Sequence, residues 1–153
     1  MITGPPCGGK TTYLREHAKP GDIVVDFNAI ARALGSPVSH DHAEPLRHVA
    51  RMARNAAITE AAAQHRKGHA AWVIDSTPSP QRSRMYQSAH AVIVIATADP
   101  AELHRRASAE RPERWHGLID EWLAGHQQAA RGPERAAEPV TASPVSSGTG
   151  RTW

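Results

Sequence analysis

The chain has 153 residues, a net charge of +3, and 40% hydrophobic residues of which few are aromatic, enough for one folded domain with a core built mainly from aliphatic side chains and alanine. A single cysteine, Cys7, excludes a disulfide framework and a CxxC metal site, and no apolar run reaches the roughly 18 residues of a membrane span. The mild basicity suits an anionic ligand without requiring one, and a Gly-Pro-Pro turn at residue 4 is no signal peptide, so a reducing, cytoplasmic setting is expected.

Short β-like runs alternate with helical stretches, the pattern of an α/β domain with a parallel sheet. "MIT" is a stub of a first strand. Either the strand begins upstream of Met1, or three residues suffice between longer neighbours. A helix is expected from about Lys10 to His17, ending before Pro20-Gly21. "DIVVDF" reads as strand two, and the short helix "NAIARAL" follows and stops at Gly35. After the loop "SPVSHD", Asp41 and Glu44 have the spacing of a capping box for a long helix ending near Gly68. Leu46, Val49, Ala53 and Ala57 form its expected apolar stripe. "AAWVID" is strand three; Ser79 and Pro80 open the next helix; "AVIVIAT" is strand four. Asp99, Pro100 and Glu102 have cap, N1 and N3 spacing for a further helix. Trp115, Leu118, Ile119, Trp122 and Leu123 then make one more helical stripe, read as packing on the domain rather than as a base-stacking platform. The domain is expected over residues 1–131. Residues 132–153, rich in Pro, Ser, Gly, Thr and Ala, read as a disordered tail.

The chemistry is concentrated at the start. Gly4-Pro5-Pro6-Cys7-Gly8-Gly9-Lys10-Thr11 fits G-x-x-x-x-G-K-[ST]. The glycines let backbone N–H groups wrap a phosphate, and the following helix points its positive end at the same charge. Lys10 can reach the β- and γ-phosphates and the Thr11 hydroxyl can ligate Mg²⁺. Cofactor-binding residues are therefore Gly4, Cys7, Gly8, Gly9, Lys10, Thr11 and Thr12. Pro5 and Pro6 lack an N–H, but the useful donors lie later, between Gly8 and Thr12. Cys7 is read as a small residue that fits the loop.

Further residues separate the possible uses of ATP. An N-K-x-D guanine-reading motif is missing, and the chain is short for a motor ATPase. Asp75 ends "AWVID", as a Walker B acid holding Mg²⁺ through water would; the plainer alternative is a cap for the turn "DSTP". Asp26 and Asn28 stand at the carboxyl end of strand two, where open α/β sheets bind ligands. Arg105, Arg106 and Arg111 have the placement of an arginine-bearing lid, or of a solvated basic face. "SHDH" reads as a loop, with Asp41 a cap rather than a metal ligand.

"GPPCGGKTTYLREHA", "GDIVVDFNAIAR", "VIDSTPSPQRSRMY" and "DPAELHRRASAERP" resemble the loop, acceptor, Walker B and lid segments of P-loop kinases of the polynucleotide-kinase and zeta-toxin group. They are also similar to small AAA-type ATP-binding proteins of actinobacterial phages. The resemblance covers about residues 1–112. It implies a P-loop NTPase three-layer sandwich with a short parallel sheet in the order 2-3-1-4 flanked by helices. It also implies use of ATP and Mg²⁺, and phosphate transfer to a hydroxyl. Carried over by position, Lys10 and Thr11 are ATP and metal residues, and Arg106 and Arg111 are lid arginines. The acceptor-activating aspartate falls nearest Asn28, and an amide cannot take a proton from a hydroxyl. Asp26, two residues earlier, is the candidate catalytic base, and Arg32 is a candidate for holding an anionic acceptor.

The expected function is transfer of the γ-phosphate of Mg-ATP to a hydroxyl, with a polynucleotide 5′-hydroxyl end as one acceptor and no membrane partner. A small-molecule or nucleotide kinase is the alternative, and a catalytically weak ATP-binding module is the third reading.

Overall fold

The computed structural model describes residues 1–110 and 112–131. Its elements run β1 (Ile2–Thr3), α1 (Lys10–His17), β2 (Ile23–Val25), α2 (Phe27–Ala33), α3 (Glu44–Arg66), β3 (Ala71–Val73), α4 (Pro80–Ser88), β4 (Val94–Ile95), α5 (Pro100–Glu110) and α6 (Arg114–Arg131). The expected tail lies outside the described residues, as does Arg111. Among the described residues no helix is long and apolar enough to cross a membrane.

The fold is α/β with short parallel sheets. β2 lies parallel to β3, with Val24 opposite Trp72, and β1 lies parallel to β4, with Ile2 opposite Val94. A single parallel bridge between Ile2 and Ile74 joins the two pairs, and the Asp75 N–H donates to the Ile2 carbonyl at 2.9 Å. Thr3 Oγ1 donates to the Ser76 carbonyl at 3.1 Å. The carboxyl ends of β1 and of the strand-three segment therefore stand side by side. β4 is shorter than the "AVIVIAT" run expected from sequence; Val92 and Ile93 before it are exposed, as is Ile95 within it.

Two apolar clusters hold these pieces. Val25, Ile58, Ala61, Val73 and Tyr86 pack α3 and α4 onto β2 and β3. Leu103, Ala107 and Ile119 join α5 to α6, with Cys7, Ala98 and Leu123 against them. Ile2, Ile58, Leu103 and Ile119 are fully buried, each contributing about 1.5–3 kcal/mol of transfer free energy. The second cluster seats α5 directly beside the glycine loop.

Helix ends follow local chemistry, with two corrections. Ser79 accepts from the Arg82 N–H to open α4, and Asp99 accepts from the Ala101 N–H to open α5. Asp41 does not cap α3. Ala43 occupies the N-cap without a side-chain bond, and Pro45, which has no N–H to satisfy, lies in the first turn. Asp41 instead turns the chain at φ 63° and pairs with Arg114 of α6. Nor does Glu102 complete a capping box, because it is taken by Arg105 and Arg106. The α3 stripe is also displaced. Ala50, Ile58, Ala61 and Ala62 are buried, whereas Val49 and Ala53 are exposed.

Candidate functional site

The glycine loop leaves β1 and enters α1 with its conformation set by three residues. Gly4 has φ 145°, Cys7 φ 60° and Gly9 φ 85°. Gly9 is the N-cap of α1 and offers no side chain, so the first-turn N–H groups of the helix receive no side-chain cap. The Gly8 N–H donates to the Pro5 carbonyl at 3.2 Å, closing the turn. A Cβ on Gly4 would lie 2.0 Å from the Ala96 carbonyl oxygen, and one on Gly8 2.5 Å from the same atom. The backbone approaches β4 so closely that only glycine fits at both places.

Lys10 Nζ donates to the carbonyls of Gly4 at 2.9 Å and Pro5 at 2.6 Å, which holds the ammonium against the loop. Arg106, on α5, donates from NH1 to the Cys7 carbonyl at 3.2 Å and from Nε to Glu102 at 2.7 Å. Two cations far apart in sequence thus converge on one loop, a combination suited to a phosphate chain. Glu102 accepts from Arg105 as well, and hydrogen bonds from Arg105 and then Arg106 pull its pKa down to about 2. It therefore remains the counter-ion that orients Arg106 throughout the neutral range. Thr11 is half-buried in the first turn of α1 and Thr12 is exposed.

Asp26 directly follows β2, is buried, and caps α2 by accepting from the Asn28 N–H through Oδ1 at 2.9 Å. Its Oδ2 takes no hydrogen bond among the described residues. Asn28 is committed elsewhere, since its Oδ1 lies 3.0 Å from Nε2 of the buried His42. His42 Nδ1 lies 2.7 Å from Ser36 Oγ, so the ring ties α2 to the loop before α3. The "SHDH" segment is therefore a brace, with His40 meeting Trp115 edge to face. Arg32 is exposed in the last turn of α2.

Asp75 is placed at the end of strand three as expected, but its surroundings differ from a metal ligand's. Arg54 pairs with Oδ1 at 3.0 Å, and Oδ2 accepts from Arg82 Nε at 2.8 Å and from the Tyr86 hydroxyl at 2.9 Å. Three of a carboxylate's roughly four lone-pair directions are occupied, two of them by cations that repel a third. The Thr11 hydroxyl, in the first turn of α1, is the residue that would hold magnesium, whereas the Asp75 carboxylate is largely taken up by Arg54, Arg82 and Tyr86. Sequence reading missed the partners of Asp75. Arg47, Arg51 and Arg54 have i, i+4, i+7 spacing and share a helix face, a signal visible in the sequence but outside the apolar periodicity.

Burial, then the charge of Asp75 and the hydrogen bond to it, push the Tyr86 phenol well above the ordinary tyrosine range. A raised value favours the protonated form, so this contribution is fully present below about pH 10 and is lost only as pH climbs beyond it. In an alkaline titration followed by tyrosinate absorbance, Tyr86 ionises late. Tyr86→Phe removes that late component and lowers stability at neutral pH by about 1–2 kcal/mol, a difference that shrinks above pH 10.

No curated protein matched the sequence. A family model described as an AAA domain (AAA_18) matches residues 1–118. That family is of the P-loop NTPase type, includes kinase-like members and carries a nucleotide-binding function, in agreement with the loop geometry above. The chain belongs to this AAA domain family.

Proposed function

We propose that the chain transfers the γ-phosphate of Mg-ATP to a hydroxyl acceptor. The observation that carries this reading is the convergence of Lys10 and Arg106 on the glycine loop, one cation from α1 and one from α5. Lys10 and the first-turn N–H groups of α1 hold the β- and γ-phosphates, and Arg106 offsets charge as the phosphoryl group leaves. The Thr11 hydroxyl would hold magnesium, which would supply charge neutralisation to the phosphates when bound. Asp26 orients the acceptor hydroxyl and receives its proton through Oδ2, while Asn28 serves as scaffold with His42. Arg111 belongs to the same lid in this reading. The parallel pairs, linked by the Ile2–Ile74 bridge, support one sheet in the order 2-3-1-4.

The test is transfer of labelled γ-phosphate from Mg-ATP to a 5′-hydroxyl oligonucleotide and, in parallel, to nucleosides and their monophosphates. Label on an acceptor, lost on Asp26→Asn with ATP binding retained, is the expected result. ATP binding with release of free phosphate only, and no labelled acceptor, would replace the kinase reading with an ATPase.

A further inference from the structure

A second basic centre lies beside the carboxyl ends of β2 and β3. Arg47, Arg51 and Arg54 of α3, with Arg82 of α4, Phe27 and Asn55, line a cavity of about 340 Å³. Phe27 directly follows Asp26, and Arg54 and Arg82 are the two cations on Asp75. None of the lining residues belongs to the glycine loop.

From this cavity we infer that the acceptor carries a phosphate group in addition to its reacting hydroxyl, and that these arginines hold that phosphate. The inference rests on the transferase reading for the word acceptor, and on the cavity alone for the phosphate. Three arginines on one helix face repel each other, so an arrangement of this kind needs compensating anions. Asp75 supplies one, shared between Arg54 and Arg82, and Glu44 supplies another to Arg47. Arg51 pairs with no carboxylate among the described residues. Four guanidinium groups thus face two carboxylates.

The cavity lining is dominated by guanidinium groups, and their forked donors match a phosphate, each able to engage two oxygens. Asp26, the candidate base, immediately precedes the lining residue Phe27 in the chain. Arg32, exposed on α2, does not line this cavity.

A phosphate of this kind occurs as a phosphomonoester on a small molecule or as a phosphodiester near a nucleic-acid end. The experiment measures binding by calorimetry, using the full chain with a nonhydrolysable ATP analogue present. Three probes are compared: adenosine, adenosine 3′-monophosphate and a short 5′-hydroxyl oligonucleotide. The phosphate-bearing probes are expected to bind at least about tenfold more tightly than adenosine. The double variant Arg47→Gln/Arg51→Gln, both partly or largely exposed, should remove that preference and leave affinity for the ATP analogue unchanged. Equal affinity for all three probes, or a double variant that keeps the preference, would overturn the inference. A monophosphate as tight as the oligonucleotide assigns a small acceptor. A tighter oligonucleotide with a steep salt dependence assigns a nucleic-acid end. Either supports the cavity's role. Phosphate-selective binding without any phosphoryl transfer would overturn the transferase reading and leave the phosphate site standing.

Discussion

Lys10→Ala abolishes measurable ATP binding while leaving the fold in place. The ammonium is the only side-chain cation inside the G-x-x-x-x-G-K-[ST] run, and its two bonds to the Gly4 and Pro5 carbonyls already position it on the loop. A phosphate offers it charged acceptors in place of neutral ones. Each charge-assisted hydrogen bond contributes about 1.5–3 kcal/mol, so losing two reduces affinity by about a hundredfold or more. The cost to folding is small by comparison. Alanine is the best helix former at the first turn of α1, and the forfeited bonds to loop carbonyls contribute about 1 kcal/mol each. Titration with a fluorescent ATP analogue, beside a thermal melt, separates the two effects. A variant that still binds the analogue as tightly as the parent would remove the glycine loop from the nucleotide site.

The second large effect is on stability. Asp75→Asn is expected to destabilise the protein by about 3–5 kcal/mol, because it leaves Arg54 and Arg82 without the charge that compensates them. Asp75 is almost wholly buried, with 3% of its side chain exposed, and Arg54 is exposed by only 12%, so solvent screens the pair little. For a chain of this length the melting temperature should fall on the order of 10 °C. Replacing all three residues by leucine should recover much of the loss, since it removes the stranded cations together with the anion. Were Asp75 chiefly a magnesium ligand, Asp75→Asn would instead weaken Mg-ATP binding at an unchanged melting temperature.

The sequence showed the loop because its chemistry is local. Glycines, Lys10 and Thr11 act through the backbone that carries them, so spacing alone was enough. Helix starts at Ser79 and Asp99 were legible for the same reason, each cap reaching two or three residues ahead. What was missed depends on contacts across the chain. The partners of Asp75, Arg54 from α3 and Tyr86 from α4, come from other elements of the chain and left no mark beside it in the sequence. Asn28 looks like a displaced catalytic acid until His42, fourteen residues on, accounts for its amide. Asp41 has the right spacing for a cap, but its left-handed backbone and its pairing with Arg114 decide otherwise. The arginine face of α3 was written in the sequence at helical spacing. Its meaning required the neighbouring strands.

The meeting of Gly4 and Gly8 at the Ala96 carbonyl bears on how such a chain tolerates mutation. The contact on the β4 side is made by a main-chain oxygen, which every amino acid possesses. Residue 96 can therefore drift among side chains without touching the loop, whereas a single methyl group at position 4 or 8 collides with backbone. The constraint is lopsided. A lineage of these proteins is expected to fix the two glycines while residue 96 varies among types that keep its N–H bond to Thr3, and a deletion or insertion near residue 96 would displace the carbonyl the glycines meet.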